Sequence, residues 1–435
     1  MKFYDREKES AALARIESIS KDFAQMTVIS GRRRIGKTAL IKHYPKSIPF
    51  VYFFVGRKSE AMLCQELTEI ISETLDEELG DFTSFSKLFA AIMSISKRKN
   101  FTLVFDEFQN ISGINPSFFS DMQNIWNSRK DESHINLILC GSIYSMMRKI
   151  FDDRHEPLFG RATNKLKIEP FTISTLKNII SEYNPDFKPD DLLAFYMISG
   201  GVAKYVEQMV MQSAFTNEKI LDAVTQTGSY FIDEGRDVLS EEFGKEYSNY
   251  FSVMAAIASG KTTRGEITSH IGLESGGYLD KLEKEYNLVS RQRPYLQGEN
   301  TRNVRYFIND NFLNFWFRFI YKYRSAIEIG NFGYVRNKIS ADYETYSGFI
   351  LERYFRQVYK ESGFYSTVSN YWNRSGKDEI DLIAVNQNEK QIVIAECKRN
   401  PQRIDIDILK EKSNAILNAH KKWDTQFIGL SLDDM

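Results

Sequence analysis

Three cysteines in 435 residues leave little room for sulfur chemistry. Cys64, Cys140 and Cys397 lie far apart, so the chain has neither a disulfide framework nor a zinc-ligand spacing, as fits a reducing cytoplasm. The five histidines are scattered too. An isolated one such as His134 is read as an ordinary surface or core side chain before it is read as a metal ligand. No apolar stretch approaches the roughly 18 residues that a membrane span needs. The start, Met1-Lys2-Phe3-Tyr4-Asp5-Arg6-Glu7, has no apolar leader core. The expectation is a cytoplasmic protein with no membrane contact. The formal net charge is -1, so no global basic field draws nucleic acid, and any such surface must be local. Internal repeats, low-complexity tracts and linkers flexible by composition are also missing.

What is present is the make-up of a multidomain globular chain. At about 150 residues per domain, the length suggests two to four domains. Hydrophobic residues make up 42% and charged residues 26%. The 32 phenylalanines and 23 tyrosines fall mostly in helical patterns, so they read as core. Residues 1–170 alternate strands (26–30, 50–55, 101–105, 135–140, 166–168) with helices (37–44, 59–75, 83–97, 117–128). Near-continuous apolar strands such as Phe101-Thr102-Leu103-Val104-Phe105 indicate a parallel sheet covered on both faces, hence an α/β domain. Residues 171–235 read as helical. Residues 236–308 read as two short helices (267–271, 279–288) and a hairpin (288–293, 305–308), a winged-helix pattern. Residues 309–435 hold an aromatic helix from Phe312, a helix at 342–361, strands at 380–386, 391–397 and 425–430, and a helix at 403–419. Together they make a second α/β unit.

Gly31-Arg32-Arg33-Arg34-Ile35-Gly36-Lys37-Thr38 fits G-x-x-x-x-G-K-[ST] and follows the apolar run Met26-Thr27-Val28-Ile29. Glycine lets backbone N–H groups turn inward on an anion. Lys37 would reach the β- and γ-phosphates, and Thr38 would ligate Mg²⁺ and open a helix. Arg32, Arg33 and Arg34 occupy variable loop positions, either solvated or touching phosphate or a nucleic-acid partner. The strand 101–105 ends in Asp106-Glu107. Asp106 can hold the Mg²⁺ shell and Glu107 can orient and deprotonate a water. The strand 135–140 ends in Gly141-Ser142, where a hydroxyl can sense the γ-phosphate; a plain tight turn is the alternative. Pro157-Leu158-Phe159-Gly160-Arg161 offers a guanidinium for the transferring phosphoryl group, or merely a surface arginine.

GRRRIGKT, LVFDEFQ, LILCGS, PLFGR and Gly200-Gly201-Val202-Ala203-Lys204-Tyr205 together resemble the archaeal-type ATPases of the AAA+/STAND P-loop branch. Phe3-Tyr4-Asp5-Arg6-Glu7-Lys8-Glu9 is similar to that family's F-x-G-R-E-x-E start, which places Arg6 near the nucleotide base. Asp5 stands where the family usually has Gly, and Ala203 where it usually has Pro. The resemblance implies ATP and Mg²⁺ as cofactors, sheet order 5-1-4-3-2, a helical lid, a following winged helix, Ser142 as a sensor and Arg161 as an arginine finger in cis or in trans.

Farther on, Asp381 and Glu396-x-Lys398 fall on adjacent strands of an expected hairpin, with Glu396 and Lys398 on one face. Two carboxylates and a lysine there can bind Mg²⁺ and activate water for phosphodiester cleavage, with Glu352 adding an oxygen from the preceding helix. A mutual salt-bridge network is the alternative. The arrangement resembles the restriction-endonuclease-like fold that the archaeal ATPase family often carries at its C-terminus, with 310–319 as its entry helix. Arg291, Arg293, Arg302 and Arg305 flank the expected wing, with Tyr295 between them, and suit phosphate or a protein partner. The resulting expectation is a Mg²⁺-dependent ATPase coupled to a DNA-binding or DNA-cleaving part within 236–435. Its domains would be 1–170 core, 171–235 lid, 236–308 winged helix and 309–435 nuclease-like. The rival reading is a nucleotide-dependent switch or scaffold with a non-catalytic nuclease-like domain. A third is a homo-oligomeric, motor-like assembly.

Overall fold

The structure is a computed structural model and describes residues 2–243 and 247–435. It divides into two compact units, Phe3–Glu169 and Pro170–Met435. Among the described residues no helix is long and apolar enough to cross a membrane.

The first unit is built on five strands: β1 (Gln25–Ser30), β2 (Phe50–Phe54), β3 (Phe101–Asp106), β4 (Ile135–Cys140) and β5 (Asn164–Lys167). They pair in the order β2-β3-β4-β1-β5, and every pairing is parallel. From the other edge this is 5-1-4-3-2, as the resemblance implied. β3 and β4 are buried along their whole length, which is why their sequences run apolar without alternation. Phe85, Phe89, Phe105, Phe108 and Phe118 interlock beside the sheet at centroid separations of 5.4 to 6.0 Å. At about 25 cal/mol per Å² of buried apolar area, each such ring contributes roughly 2–3 kcal/mol.

One polar tie runs through this core. Glu17, on the first helix (Glu7–Ile19), is 1% exposed. It accepts hydrogen bonds from Tyr44 Oη (2.9 Å), Ser47 N (2.6 Å), Ser47 Oγ (2.9 Å) and Thr102 Oγ1 (3.3 Å). A buried carboxylate persists only when so satisfied, and this one ties the first helix to β3 and the chain after the phosphate-loop helix.

The second unit opens with helices Ile173–Tyr183, Pro189–Ser199, Ala203–Met211, Asn217–Val224 and Tyr230–Phe243. Position 236 thus lies inside a helix. Helices Tyr247–Ala258, Arg264–Ile271 and Gly276–Lys284 follow, then an antiparallel ribbon of β6 (Val289–Gln292) and β7 (Arg305–Ile308). Helix Arg264–Ile271 starts with a capping box of Thr263 and Glu266.

The helix Asn311–Phe315 continues as a π-helical turn, Trp316–Tyr321. The long helix Phe332–Glu361 then leads into β8 (Thr367–Trp372), β9 (Glu379–Asn386), β10 (Gln391–Cys397) and, after two short helices, β11 (Asp424–Leu430). This mixed sheet runs β11-β10-β9-β8, with β10 and β11 parallel and the other pairs antiparallel. Three details differ from the sequence expectation. The long helix begins at Phe332 rather than 342. The helix expected at 403–419 breaks at Ser413 into Ile406–Lys412 and Asn414–Ala419. Strand β8, polar and only partly buried, was not expected, because Thr-Val-Ser-Asn-Tyr-Trp lacks a strong apolar period.

Candidate functional site

The phosphate-type loop leaves the C-terminal end of β1. Ile168 N donates to Ser30 O at 2.8 Å and fixes the exit of the strand. Gly31 has φ 150°, and a Cβ there would fall 2.7 Å from Ile168 O, so no other residue fits this exit. Arg34 and Gly36 both have left-handed backbone, which curls the loop so that successive N–H groups can converge on an anion. Lys37 opens the helix Lys37–His43 and is 7% exposed. Its ammonium donates to Gly31 O and Arg32 O, each at 2.9 Å, and so lies folded into the loop. Arg32, Arg33 and Arg34 are all partly exposed.

Arg6 also reaches this loop. It is 4% exposed, and its Nη2 donates to Glu169 O at 2.6 Å and to Ile35 O at 3.5 Å. It pairs with Glu9 at 3.3 Å. A buried guanidinium spent on two carbonyls braces the loop from behind.

Thr38 Oγ1 donates to Asp106 Oδ2 at 2.9 Å, which brings the loop to the end of β3. Asp106 is 5% exposed, and its other oxygen accepts from Glu107 N at 3.0 Å. Glu107 has φ 55°, a conformation that costs a non-glycine residue on the order of 1 kcal/mol and turns its side chain off the strand. Its Oε2 accepts from Ser142 Oγ at 2.6 Å and from Gln109 Nε2. A Cβ on Gly141 would sit 2.3 Å from Gln109 Oε1, so glycine before Ser142 is what lets Gln109 occupy this position. Ser142 follows β4, which lies beside β1 with Cys140 opposite Ile29. Residues Gly31–Thr38, Asp106, Glu107 and Ser142 therefore gather at one end of the sheet.

Arg161 does not join them. β5 pairs Asn164 with Thr27 and Lys167 with Ser30, and Thr163 N donates to Met26 O at 2.8 Å. The loop holding Arg161 thus enters from the N-terminal edge of β1. Four strand residues, about 13 Å, separate that edge from the phosphate loop.

Two residues of the site were not singled out in the sequence as site residues. Tyr52, on β2, donates to Asp106 Oδ2 at 2.6 Å, and burial followed by the Asp106 hydrogen bond pushes its phenol well above the usual range. Lys42 Nζ lies 5.1 Å from the Tyr52 ring. In the run Phe50-Val51-Tyr52-Phe53-Phe54 it reads as one more core aromatic. Gln109 is buried, and only its place two residues after Glu107 hinted at it.

The second cluster lies where β9 and β10 part. The last ladder pair is Ala395 with Leu382, and the next positions are Glu396 and Asp381. Lys398 Nζ is 3.2 Å from Glu396 Oε1 and 3.5 Å from Asp381 Oδ2. Cys397 N donates to Asp381 Oδ2 at 2.8 Å. Glu352, on the long helix, faces the same group. Burial and then the Asp381 charge push its carboxyl up to about 8. A carboxyl raised in this way favours the fold while protonated. Stability falls as pH climbs from the ordinary carboxylate range through about 8, and a cation that stabilises the ionised form would offset that loss. Arg356 Nη1 donates to Asp381 O at 2.7 Å and lies 3.5 Å from Glu352 Oε2. Lys412 Nζ is 3.9 Å from Glu396. Neither Arg356 nor Lys412 was singled out in the sequence; the i,i+4 spacing of Glu352 and Arg356 was the available signal.

Among the described residues no group of three or more His, Cys, Asp or Glu could hold a metal ion. A cation at either cluster would therefore keep water or phosphate ligands, as Mg²⁺ commonly does. The oxygen donors fit such an ion: Asp106 with Thr38 in the first unit, and Asp381 with Glu396 in the second.

The arginines beside the ribbon divide. Arg305 stacks over Trp372 at 4.6 Å and pairs with Glu379 at 2.5 Å. Tyr295 N donates to Asn370 O at 2.9 Å, and its hydroxyl meets His420 Nε2 at 2.8 Å. Both residues dock the ribbon on the β8 edge. Arg291 and Arg302 stay exposed, and Arg293 is half-buried at 4.0 Å from Glu299.

Comparison with known proteins bears on both units. Residues 3–209 match a family described as an ATPase domain predominantly from Archaea. Residues 316–405 match a family described as archaeal and bacterial proteins of unknown function. An uncharacterized protein of Methanocaldococcus jannaschii is 28% identical over 436 residues, covering 97% of this chain and 94% of its own. A Walker-type ATPase of Pyrococcus abyssi superposes with a TM-score of 0.54 at 18% identity, covering 73% of this chain and 96% of that one. The Aeropyrum pernix ORC2 protein, solved as ADPNP–ADP complexes, gives a TM-score of 0.48 at 14% identity over 75% of this chain and 96% of that one. The first unit has the fold of a P-loop ATPase, and a separate mixed-sheet unit follows it.

Proposed function

We propose that the first unit is a Mg²⁺-dependent ATPase, an acid-anhydride hydrolase, whose nucleotide state governs a DNA-directed second unit. The observation that carries the first half is the Thr38–Asp106 hydrogen bond, with Lys37 and Glu107 to either side of it. Lys37 would exchange its two carbonyl partners for the β- and γ-phosphates. Glu107, held by Ser142 and Gln109, would take a proton from the attacking water. The water oxygen bonds to the γ-phosphorus as the β–γ bridging bond breaks. Mg²⁺ on the Asp106 and Thr38 side would neutralise phosphate charge when bound. Ser142 then reports the γ-phosphate to β4. Arg6 acts as a brace for the loop.

A Glu107→Gln variant tests this. ATP turnover should fall by about 10²-fold or more, the usual worth of a general base. ATP affinity, measured by calorimetry, should stay within a few-fold. Turnover unchanged in the variant would remove Glu107 from the mechanism.

Arg161 is the argument for an oligomer. Its place at the opposite edge of the sheet suits a guanidinium offered to a neighbouring copy. Mixing Arg161→Ala protein into wild type should lower turnover by more than simple dilution, as each variant copy disables a neighbour. Activity falling only in proportion would contradict a finger acting in trans.

The second unit is read as restriction-endonuclease-like, from Asp381, Glu396, Lys398 and Glu352 at the mouth of the β9–β10 hairpin. The three helices and ribbon at 247–308 are read as a winged helix, with Arg291, Arg293 and Arg302 as its DNA-facing residues. Arg305, engaged by Trp372 and Glu379, is assigned to holding the wing in place. The domain limits at 170, 235 and 308 belong to the same reading.

A further inference from the structure

The charges around Asp381 do not balance. Its carboxylate neighbours are Glu396 and Glu352. Lys398, Lys412 and Arg356 pair with these three, and two further cations, Arg353 and Lys360, stand close enough to Arg356 to repel it. Glu379, also nearby, is matched by Arg305. A closed salt-bridge network would come out near neutral, since unmatched like charges repel without return. This cluster keeps a positive surplus.

The surplus lies along one helix. Glu352, Arg356 and Lys360 are spaced four apart on Phe332–Glu361, so they line one face, about 6 Å from one to the next. Arg356 spends Nη1 on Asp381 O, while its Nε and Nη2 make no hydrogen bond among the described residues. Lys360, one turn on, is exposed and has no ion pair among the described residues. Arg353 donates to Ile308 O (2.9 Å) and Asn309 O (2.7 Å), neutral partners that do not offset its charge. Glu361, the nearest acid in sequence, accepts from Ile173 N and Gln357 Nε2.

We infer that Arg356 and Lys360 form a phosphodiester-binding subsite that seats a nucleic-acid backbone beside Asp381 and Glu396. The inference rests on the reading of the second unit as DNA-directed and adds the contact that would hold the strand there. A guanidinium with two free donor nitrogens takes a phosphate bidentately. A lysine about 6 Å on matches the next phosphate, because successive phosphates on one strand are spaced about as far apart as helical turns.

The test uses the full-length protein and a fluorescein-labelled DNA, single-stranded and duplex, titrated at several salt concentrations. Lys360→Ala should weaken binding about five-fold and reduce the slope of log affinity against log salt by about one. Lys360→Glu should weaken it further, and Lys360→Arg should restore it. Arg356→Lys, which keeps the charge but loses the fork, should fall between wild type and Lys360→Glu. Wild type that binds neither DNA would overturn this inference together with the DNA-directed reading. Wild type that binds, with Lys360→Ala unchanged in affinity and slope, would overturn the subsite alone. Equal binding of an acidic polypeptide at the same salt would also overturn it, since the surface would then answer to charge and not to phosphodiester.

Discussion

Replacing Asp381 with alanine is expected to abolish metal-dependent cleavage of DNA, and Lys398→Ala is expected to do the same. Both residues meet at the opened end of the β9–β10 ladder, with Lys398 Nζ within 3.5 Å of Asp381 Oδ2. Asp381 would hold the cation, and Lys398 would lower the pKa of the attacking water or steady the charge that develops on phosphorus. Loss of either should cost about 10³-fold in rate, since each acts on the transition state. Assays with Mg²⁺ and with Mn²⁺ should agree on the ranking. Thermal unfolding of both variants separates a loss of cleavage from a loss of fold, the more so for Asp381, which also accepts from Cys397 N. Asp381→Asn keeps the shape and isolates the charge. Cleavage that survives both alanine variants would remove the nuclease assignment. An inactive wild type that still binds DNA would favour the scaffold reading.

Lys37→Ala should cost ATP affinity at least 100-fold, about 2.7 kcal/mol. Lys37 is buried and donates to two carbonyls of the loop, neutral acceptors that phosphate oxygens can replace. Charge-assisted bonds in a site of this kind contribute about 1.5–3 kcal/mol each. Calorimetric titration with ATP and with ADP should show the larger loss for ATP, whose γ-phosphate also meets Lys37. Affinity within three-fold of wild type would contradict the placement of the nucleotide.

The fold of the first unit was legible because its strands are short, apolar and buried on both faces, and because the loop after β1 has its own composition. Parallel pairing was read from those apolar strands, and the sheet order followed from the resemblance carried by GRRRIGKT and LVFDEFQ. What stayed hidden is what depends on pairing across the sheet. Tyr52 meets Asp106 only because β2 lies beside β3, with Phe54 opposite Asp106. No local pattern around Tyr52 encodes that. Arg161 shows the reverse case. Its motif left action in cis or in trans open, and the register of β5 against β1 puts its loop at the N-terminal edge of β1. In the second unit, Asp381, Glu396 and Lys398 were legible from strand alternation. The docking of Arg305 on Trp372 was not, because it needs the polar strand β8. Arg356 was readable in principle as the i+4 partner of Glu352, yet its contact with the Asp381 carbonyl depends on how the long helix crosses β9.

The central claim is that Lys37, Thr38, Asp106 and Glu107 form one nucleotide site. A crystal structure of the protein with a non-hydrolysable ATP analogue and Mg²⁺ tests it most directly. The account predicts Lys37 Nζ withdrawn from Gly31 O and Arg32 O and placed on the β- and γ-phosphates, with the metal beside Thr38 and Asp106 and the terminal phosphate facing Glu107. A nucleotide bound elsewhere, or Lys37 still on the two carbonyls with the analogue present, would contradict it.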